Sequence, residues 1–272
     1  MAVVFGSTAT LSLFDEGTYG TPGTNGYKVY FTSESLKVSQ QSFDTQTITG
    51  NREKLAPVRG NKNVSGTISV ELSPENTPLL LFYAIGGTID TSEITPSTTP
   101  KTYIHTLTGG NALNSFTAEV NFGTGAPTDY KVVKYKGLKV NSMGVQIPNN
   151  GNVTASFDCV GQDVSYSTSE TDSYLHTTTF SRFSSFDTAV IFDTVASTVV
   201  ESFSFSVANE LDESVFPIHT DGKRTELPTG FQTITGQMTV FFSSDASGGI
   251  LDAIKNGTKL AIKVVCKKGN GD

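Results

Sequence analysis

Apolar and polar positions alternate most cleanly in Val64-Ser65-Gly66-Thr67-Ile68-Ser69-Val70-Glu71-Leu72, where every even position is apolar or Gly and every odd one polar. A period of two predicts a strand with one face in a core and the other in water. Ser73-Pro74 ends it, because Pro donates nothing to a ladder. Thr77-Pro78 then reads as an N-cap followed by Pro at the first helical position, and Leu79 to Ile85, closed by Gly86-Gly87, as a short helix. The pattern recurs downstream: Ile234-Thr235-Gly236-Gln237-Met238-Thr239-Val240, then Ile250 to Ile254, then Gly257. Ser35-Leu36-Lys37-Val38 corresponds to Ser202-Phe203-Ser204-Phe205 upstream, and Phe116, Ala118, Val120 and Phe122 correspond to Leu260, Ile262, Val264 and Cys266 downstream. Four elements agreeing in order and type predict an internal duplication. The expected modules are 1–127, with an N-terminal arm, and 128–272, with an extra hairpin and an insertion.

Between these copies, the apolar phase switches from Leu138 and Val140 to Met143, Val145 and Ile147, which predicts a β-bulge near Asn141-Ser142. Asn149 to Asn152 predicts a hairpin turn, with Val153 to Cys159 returning. Tyr103–Leu107 and Ser115–Phe122 read as strands, Thr88–Thr102 as a Thr/Pro connector and Gly123–Asp129 as a boundary. Phe180, Phe183, Phe186 and Phe192 are the expected anchors of the apolar-poor stretch 165–198. Residues 1–34 hold weak strands at Thr8–Phe14 and Tyr27–Phe31, with too little core of their own, so they are expected to lie against the parent domain or a neighbouring subunit. Two long polar loops, 41–63 and 209–230, join equivalent strands in the two copies. Structureless loops of about 20 residues usually serve a function; of solvated hairpin tips and arms that reach another subunit, the duplication favours arms.

The polar faces carry hydroxyls and few charges: Ser65, Thr67, Ser69 and Glu71 on one strand, Thr233, Thr235, Gln237 and Thr239 on another, with Thr154, Ser156, Asp158 and Ser202, Ser204, Ser206 beside them. None of these positions is Lys or Arg, so such a surface stays wet without holding a polyanion. The net charge of −7 agrees. Chemistry is absent from the pattern. His105, His176 and His219 stand singly, and Cys159 and Cys266 form no CxxC pair and read as buried apolar residues. No P-loop, GxSxG or dinucleotide fingerprint occurs, so no enzyme, metal or cofactor is expected. Met1 to Phe5 lacks a secretory start and no run approaches about 20 apolar residues. Synthesis in the host cytoplasm without membrane contact is the expectation.

The runs SLKVSQQSFDTQTITGNREKLAPVRGNKNVSGTISVELSPENTPLLLFYAIGG, HTLTGGNALNSFTAEVNFG and YKGLKVNSMGVQIPNNGNVTASFDCVG resemble the tail tube (major tail) proteins of long-tailed bacteriophages. The resemblance is one of strand, loop and helix order, without an invariant signature. It implies an all-β fold with one short helix per module: tandem tube-like β-sandwich or barrel modules that close into rings. The rings stack into the hollow virion tail tube that conducts DNA without binding it specifically. It also implies tape-measure, terminator and tip proteins as partners. Six modules per ring and two per chain make a trimer the preferred ring; a hexamer follows if the extra hairpin belongs to the first copy. The residues expected to line the lumen are Ser65, Thr67, Ser69, Glu71, Thr233, Thr235, Gln237 and Thr239. Those expected to join rings are Arg52, Glu53, Lys54, Arg59, Asp221, Lys223, Arg224 and Glu226, together with residues 1–34. A single-ring tail-tip or completion protein would stop short of long polymers. A β-sandwich adhesin or glycan-binding module would show exposed aromatics over a groove, against which the absence of Trp weighs.

Overall fold

The computed structural model describes residues 6–93, 103–123, 131–171, 174–175, 180–192, 195–197, 199–218, 221–241, 255–257 and 259–268. In chain order its strands are β1 (Thr10–Asp15), β2 (Gly26–Val29), β3 (Ser33–Glu34), β4 (Lys37–Phe43) and β5 (Val58–Glu71), then helix α1 (Thr77–Ile85). Next come β6 (Thr88–Glu93), β7 (Tyr103–Thr108), β8 (Phe116–Asn121), β9 (Val132–Ile147), β10 (Thr154–Gly161) and β11 (Asp163–Ser167). The chain continues through β12 (Tyr174–Leu175), β13 (Thr188–Phe192), β14 (Val195–Ala196), β15 (Val200–Ala208), β16 (Thr233–Val240) and β17 (Ile262–Cys266). The protein is thus all-β with one α-helix of full length among the described residues; Lys255–Asn256 are also helical, while the second expected helix, Ile250–Ile254, and most of the expected boundary after Gly123 lie outside the described residues.

The alternation in β5 is realised: Val64, Ile68, Val70 and Leu72 are buried while Ser65, Thr67, Ser69 and Glu71 are half-buried on the other face. α1 starts one residue earlier than the pattern suggested. Asn76 is its N-cap, and its side chain closes the turn by accepting from Ser73 N (2.9 Å) and donating to Glu71 O (3.1 Å). At the other end Gly86 and Gly87, with φ of 71° and 82°, take the conformation that side chains disfavour. The helix buries Leu80, Tyr83 and Ala84, and Tyr83 donates to the Asp15 carboxylate.

Strand β9 organises the sandwich. Its first half, from Val132, pairs with β8 and β11; its second half, to Ile147, pairs with β10 and β15. At the bend Gly137 has φ 64°, and a Cβ there would come within 2.8 Å of Gln162 and 3.0 Å of the Tyr19 ring. The expected bulge is present: Asp158 faces Ser142 and Cys159 faces Val140, leaving Asn141 without an opposite residue. One layer is therefore an antiparallel run β4-β5-β10-β9-β15-β16, the other β2-β1-β8-β9-β11, and together they form an open twelve-stranded sheet, not a closed barrel. A separate three-stranded sheet, β14-β13-β17, repeats the order β2-β1-β8. The hairpins β4/β5 and β15/β16, four strand positions apart, run in the same directions.

Of the two places expected for the N-terminal segment, residues 10–15 take the parent domain: β1 lies between β2 and β8 with Leu11, Leu13 and Phe14 buried in the core. Two expectations change. Part of the Thr/Pro connector is strand β6, paired with β7 as a two-stranded ribbon. Of the four Phe anchors, Phe183 is buried and Phe192 packs against the core, Phe180 stacks on Tyr30 with ring centroids 4.9 Å apart, but Phe186 is 88% exposed.

Candidate functional site

Register places the polar residues in rows that cross strand boundaries. Ser69, Ser156, Gly144, Ser206 and Thr235 lie side by side on β5, β10, β9, β15 and β16. A second row is Glu71, Thr154, Gln146, Ser204 and Gln237; a third is Thr67, Asp158, Ser142, Ala208 and Thr233. Across these fifteen positions the only charges are Glu71 and Asp158. Thr67 Oγ1 (2.5 Å) and Ser142 Oγ (2.8 Å) both donate to the Asp158 carboxylate, and Ser206 and Thr235 share a hydrogen bond of 2.7 Å. Glu71 accepts from Asn152 Nδ2 (2.7 Å) and is paired with Arg182 (3.3 Å). Ser65 flanks the third row on β5, opposite Lys37 and Val160, and Thr239 lies opposite Ser202. All eight residues singled out for a lumen thus lie on one continuous sheet, with the β16 residues exposed and the β5 residues half-buried.

Both long loops leave the same end of that sheet, the end where β4 finishes, β5 starts, β15 finishes and β16 starts. Their structures differ. Residues 44–57 extend beyond the last β4–β5 pair, Phe43↔Val58, as an exposed arm in which only Thr45 is half-buried. Arg52, Glu53 and Lys54 lie on this arm and Arg59 at its base, all exposed. Large apolar side chains are exposed there too: Ile48 at 95%, Val58 at 68%, Phe43 at 59% and Leu55 at 57%.

The 209–230 loop folds back instead. Its legs pair with each other through Asp212 N to Pro228 O (3.0 Å) and Gly230 N to Asn209 O (3.1 Å). It docks on the bulge, where Asn141 O accepts from Asn209 N (2.8 Å) and Asn141 Oδ1 from Leu211 N (3.0 Å). Leu211 and Leu227 form a small second core with Leu113 and Val160. Lys139 Nζ donates to Leu227 O (2.9 Å) and pairs with Glu226 (3.2 Å) beneath this cover. Arg224 must be struck from the ring-joining residues: it is 1% exposed, and its guanidinium donates to Asn63 Oδ1 (2.8 Å), Gly161 O (2.9 Å) and Glu213 O (2.9 Å). It also lies over the Phe216 ring, and burial lowers its pKa. Lys223 is tied to Asp163 at 2.7 Å, whose carboxyl is held below the usual range by hydrogen bonds and by Lys223 and Lys62, against the effect of burial. Asp221 is exposed in a turn with Gly222, whose carbonyl accepts from Lys62 N (2.8 Å). The sequence signal for this folded loop was slight: two Leu sixteen residues apart and one Arg among many charges.

Among the described residues no His, Cys, Asp or Glu cluster could hold a metal ion. Cys159 is buried, and burial raises its thiol pKa; Cys266 is half-buried, and both are free thiols. His105 shares a hydrogen bond with Thr91 (2.9 Å) on the β6–β7 ribbon, while His176 and His219 lie outside the described residues. No described helix is long and apolar enough to cross a membrane.

None of the curated proteins matches the chain. A solved structure similar to it is the anti-feeding prophage cap, a tube-terminating cap, with a TM-score of 0.39 and 14% identity over 62% of this chain and 93% of the cap. The sequence model of the family described as phage tail tube protein matches residues 6–272. A match over nearly its whole length means that this chain belongs to the phage tail tube protein family, a structural component of the virion tail.

Proposed function

We propose that the protein self-assembles into stacked rings that form the hollow tail tube through which phage DNA passes. The supporting observation is the open six-strand layer, which joins a hydroxylated, cation-poor face to two strands with free edges. Among the described residues β4 pairs only with β5, and β16 only with β15. β16 runs antiparallel to β4 by strand count, so β16 of one copy and β4 of the next can continue the alternation without a break. Edge pairing repeated by rotation closes a ring and removes the exposed templates that favour disordered aggregation. The rows described above, which carry no Lys or Arg, then face the lumen and offer DNA little of the counterion release that gives affinity, with Lys37 beside Ser65 and Arg182 on Glu71 as cations at their margins. We assign a purely structural role, in contact with other tail proteins at the tube ends, in a particle assembled in the host cytoplasm.

We further propose that the chain carries two copies of one module. The equivalent pairings β2-β1-β8 and β14-β13-β17, and the equivalent hairpins β4/β5 and β15/β16, support this. Alignment on register shifts the upstream correspondence by two residues: Phe205 faces Gly236, whereas the residue packed on Gly66 is Leu36. The β9–β10 hairpin pairs with β8 and β5 on one side and with β15 on the other, so it bridges the copies. A trimer remains the preferred ring. Strands about 4.8 Å apart and tilted about 40° put 18 strands on a circle about 36 Å across, and 36 strands on one about 72 Å across.

Negative-stain images of the purified protein with rotational averaging test this directly. Long tubes with threefold or pseudo-sixfold end views are expected, and the lumen width separates trimer from hexamer. A monomer that stays dispersed at high concentration would refute the reading. Reversing charge at Arg52, Lys54 and Arg59 should impair polymerisation while leaving the circular dichroism spectrum and unfolding midpoint unchanged, since all three are exposed.

A further inference from the structure

We propose that a cleft at the end of the molecule opposite the arm is the socket for the arm of a second copy. This deepens the stacked-ring reading and rests on it. The cleft, about 500 Å³, opens beside the Ser73–Asn76 turn, between the start of α1, strand β2 and the β6–β7 ribbon. The arm leaves β5 at Val58, and the cleft adjoins the residues just after its other end, Glu71. Fourteen residues of strand separate them by about 45 Å, so one copy's arm cannot fill its own cleft. Copies stacked head to tail bring arm and cleft together, and such a contact repeats without closing.

Chemistry matches position. Tyr27, Tyr30, Leu79, Phe82 and Ile89 give the cleft apolar walls, and Tyr30 and Ile89 remain 42% and 38% exposed. Ile48 and Leu55 on the arm are large apolar side chains without cover in their own chain, exposed at 95% and 57%. Between them the arm reads Arg52-Glu53-Lys54, and the cleft presents Glu75 and Lys28. Acidic Glu75 suits Arg52 or Lys54, and Lys28 suits Glu53. Such pairs fix register more than they add affinity, while the aliphatic side chains supply the anchors.

The test uses the full chain and a flexible bis-maleimide cross-linker. Two variants, Ile48→Cys and Ile89→Cys, are purified separately and mixed before polymerisation; the native thiols are buried or half-buried, and each variant alone serves as the control. A cross-linked species appearing only in the mixed tubes supports the socket. Normal tubes without that species overturn it and leave stacked rings standing. If the wild-type protein run in parallel forms no rings or tubes, stacking and socket fall together. A charge swap gives an independent reading. Glu75→Lys should raise the concentration needed for tubes about tenfold, and Arg52→Glu with Lys54→Glu should restore it when placed in the same chain. Unchanged polymerisation by Glu75→Lys, or a defect that the swap leaves in place, counts against the site.

Discussion

Gly66 and Gly236 occupy matching places in the two hairpins, yet their surroundings differ. A Cβ on Gly66 would come within 2.5 Å of Ser35 O and 2.6 Å of Leu36 Cα, whereas one on Gly236 would find Ser204 O at 3.6 Å. Backbone cannot rotate away as a side chain can, so Gly66→Ala is expected to cost at least about 2 kcal/mol in urea unfolding. Gly236→Ala should be neutral or stabilising by up to about 1 kcal/mol, since Gly in a strand costs conformational entropy. Arg224 makes a second contrast. The sequence placed it with the solvated loop charges, but three acceptors and a ring enclose it. Arg224→Ala strips a buried charge from its partners and should lower stability by about 3 kcal/mol, with protease cleavage appearing within 209–230 before the rest of the chain.

Elements were legible where a period survived. β5 alternates from Val64 to Glu71 and β10 from Thr154 to Cys159, the bulge at Asn141 announced itself as a change of phase, and the helix was bracketed by Pro78 and Gly86-Gly87. What escaped was decided by contacts distant in sequence. β1 is short, and only its place between β2 and β8 makes it core. β6 is TIDTSE, whose Thr-rich composition suits a strand or a connector equally. Strand β17 pairs with β13 along its whole length, Ile262 to Cys266. Its flank is fastened by Lys268 Nζ to Asp187 Oδ2 (2.9 Å) and Lys267 N to Asp187 O (2.7 Å). Hydrogen bonds from Ser184, then Lys268, hold the Asp187 carboxyl down to about 2. A folded-state pKa below the unfolded value near 3.9 gives a contribution present above pH 4 and lost as pH falls toward 2. Amide protection in β17, taken relative to the intrinsic exchange rate at each pH, should therefore fall between about pH 4 and pH 2, and Asp187→Asn should remove that dependence.

On the scale of the whole molecule, the hydroxylated rows were legible residue by residue, because hydroxyls on alternate positions mark a wet face whatever the fold. Their continuity was not, because it depends on β9 crossing from one layer to the other and on the β9–β10 hairpin filling the space between two β-hairpins. A lumen lined this way should be indifferent to salt. Replacing Ser156, Ser204 and Thr235 with Lys should leave tubes intact, since all three lie on the wet face, yet slow DNA release in an ejection assay, most strongly at low ionic strength.

That both long loops leave one end of the sheet has a consequence for growth. In the proposed tube, every copy added in the same sense presents arms at one extremity and clefts at the other, so the two tips are chemically distinct. Elongation is then directional, and the factor that stops it cannot be interchangeable with the one that starts it. A soluble peptide spanning residues 44–57 should block extension at the cleft-bearing tip alone, leaving filaments that lengthen from only one side.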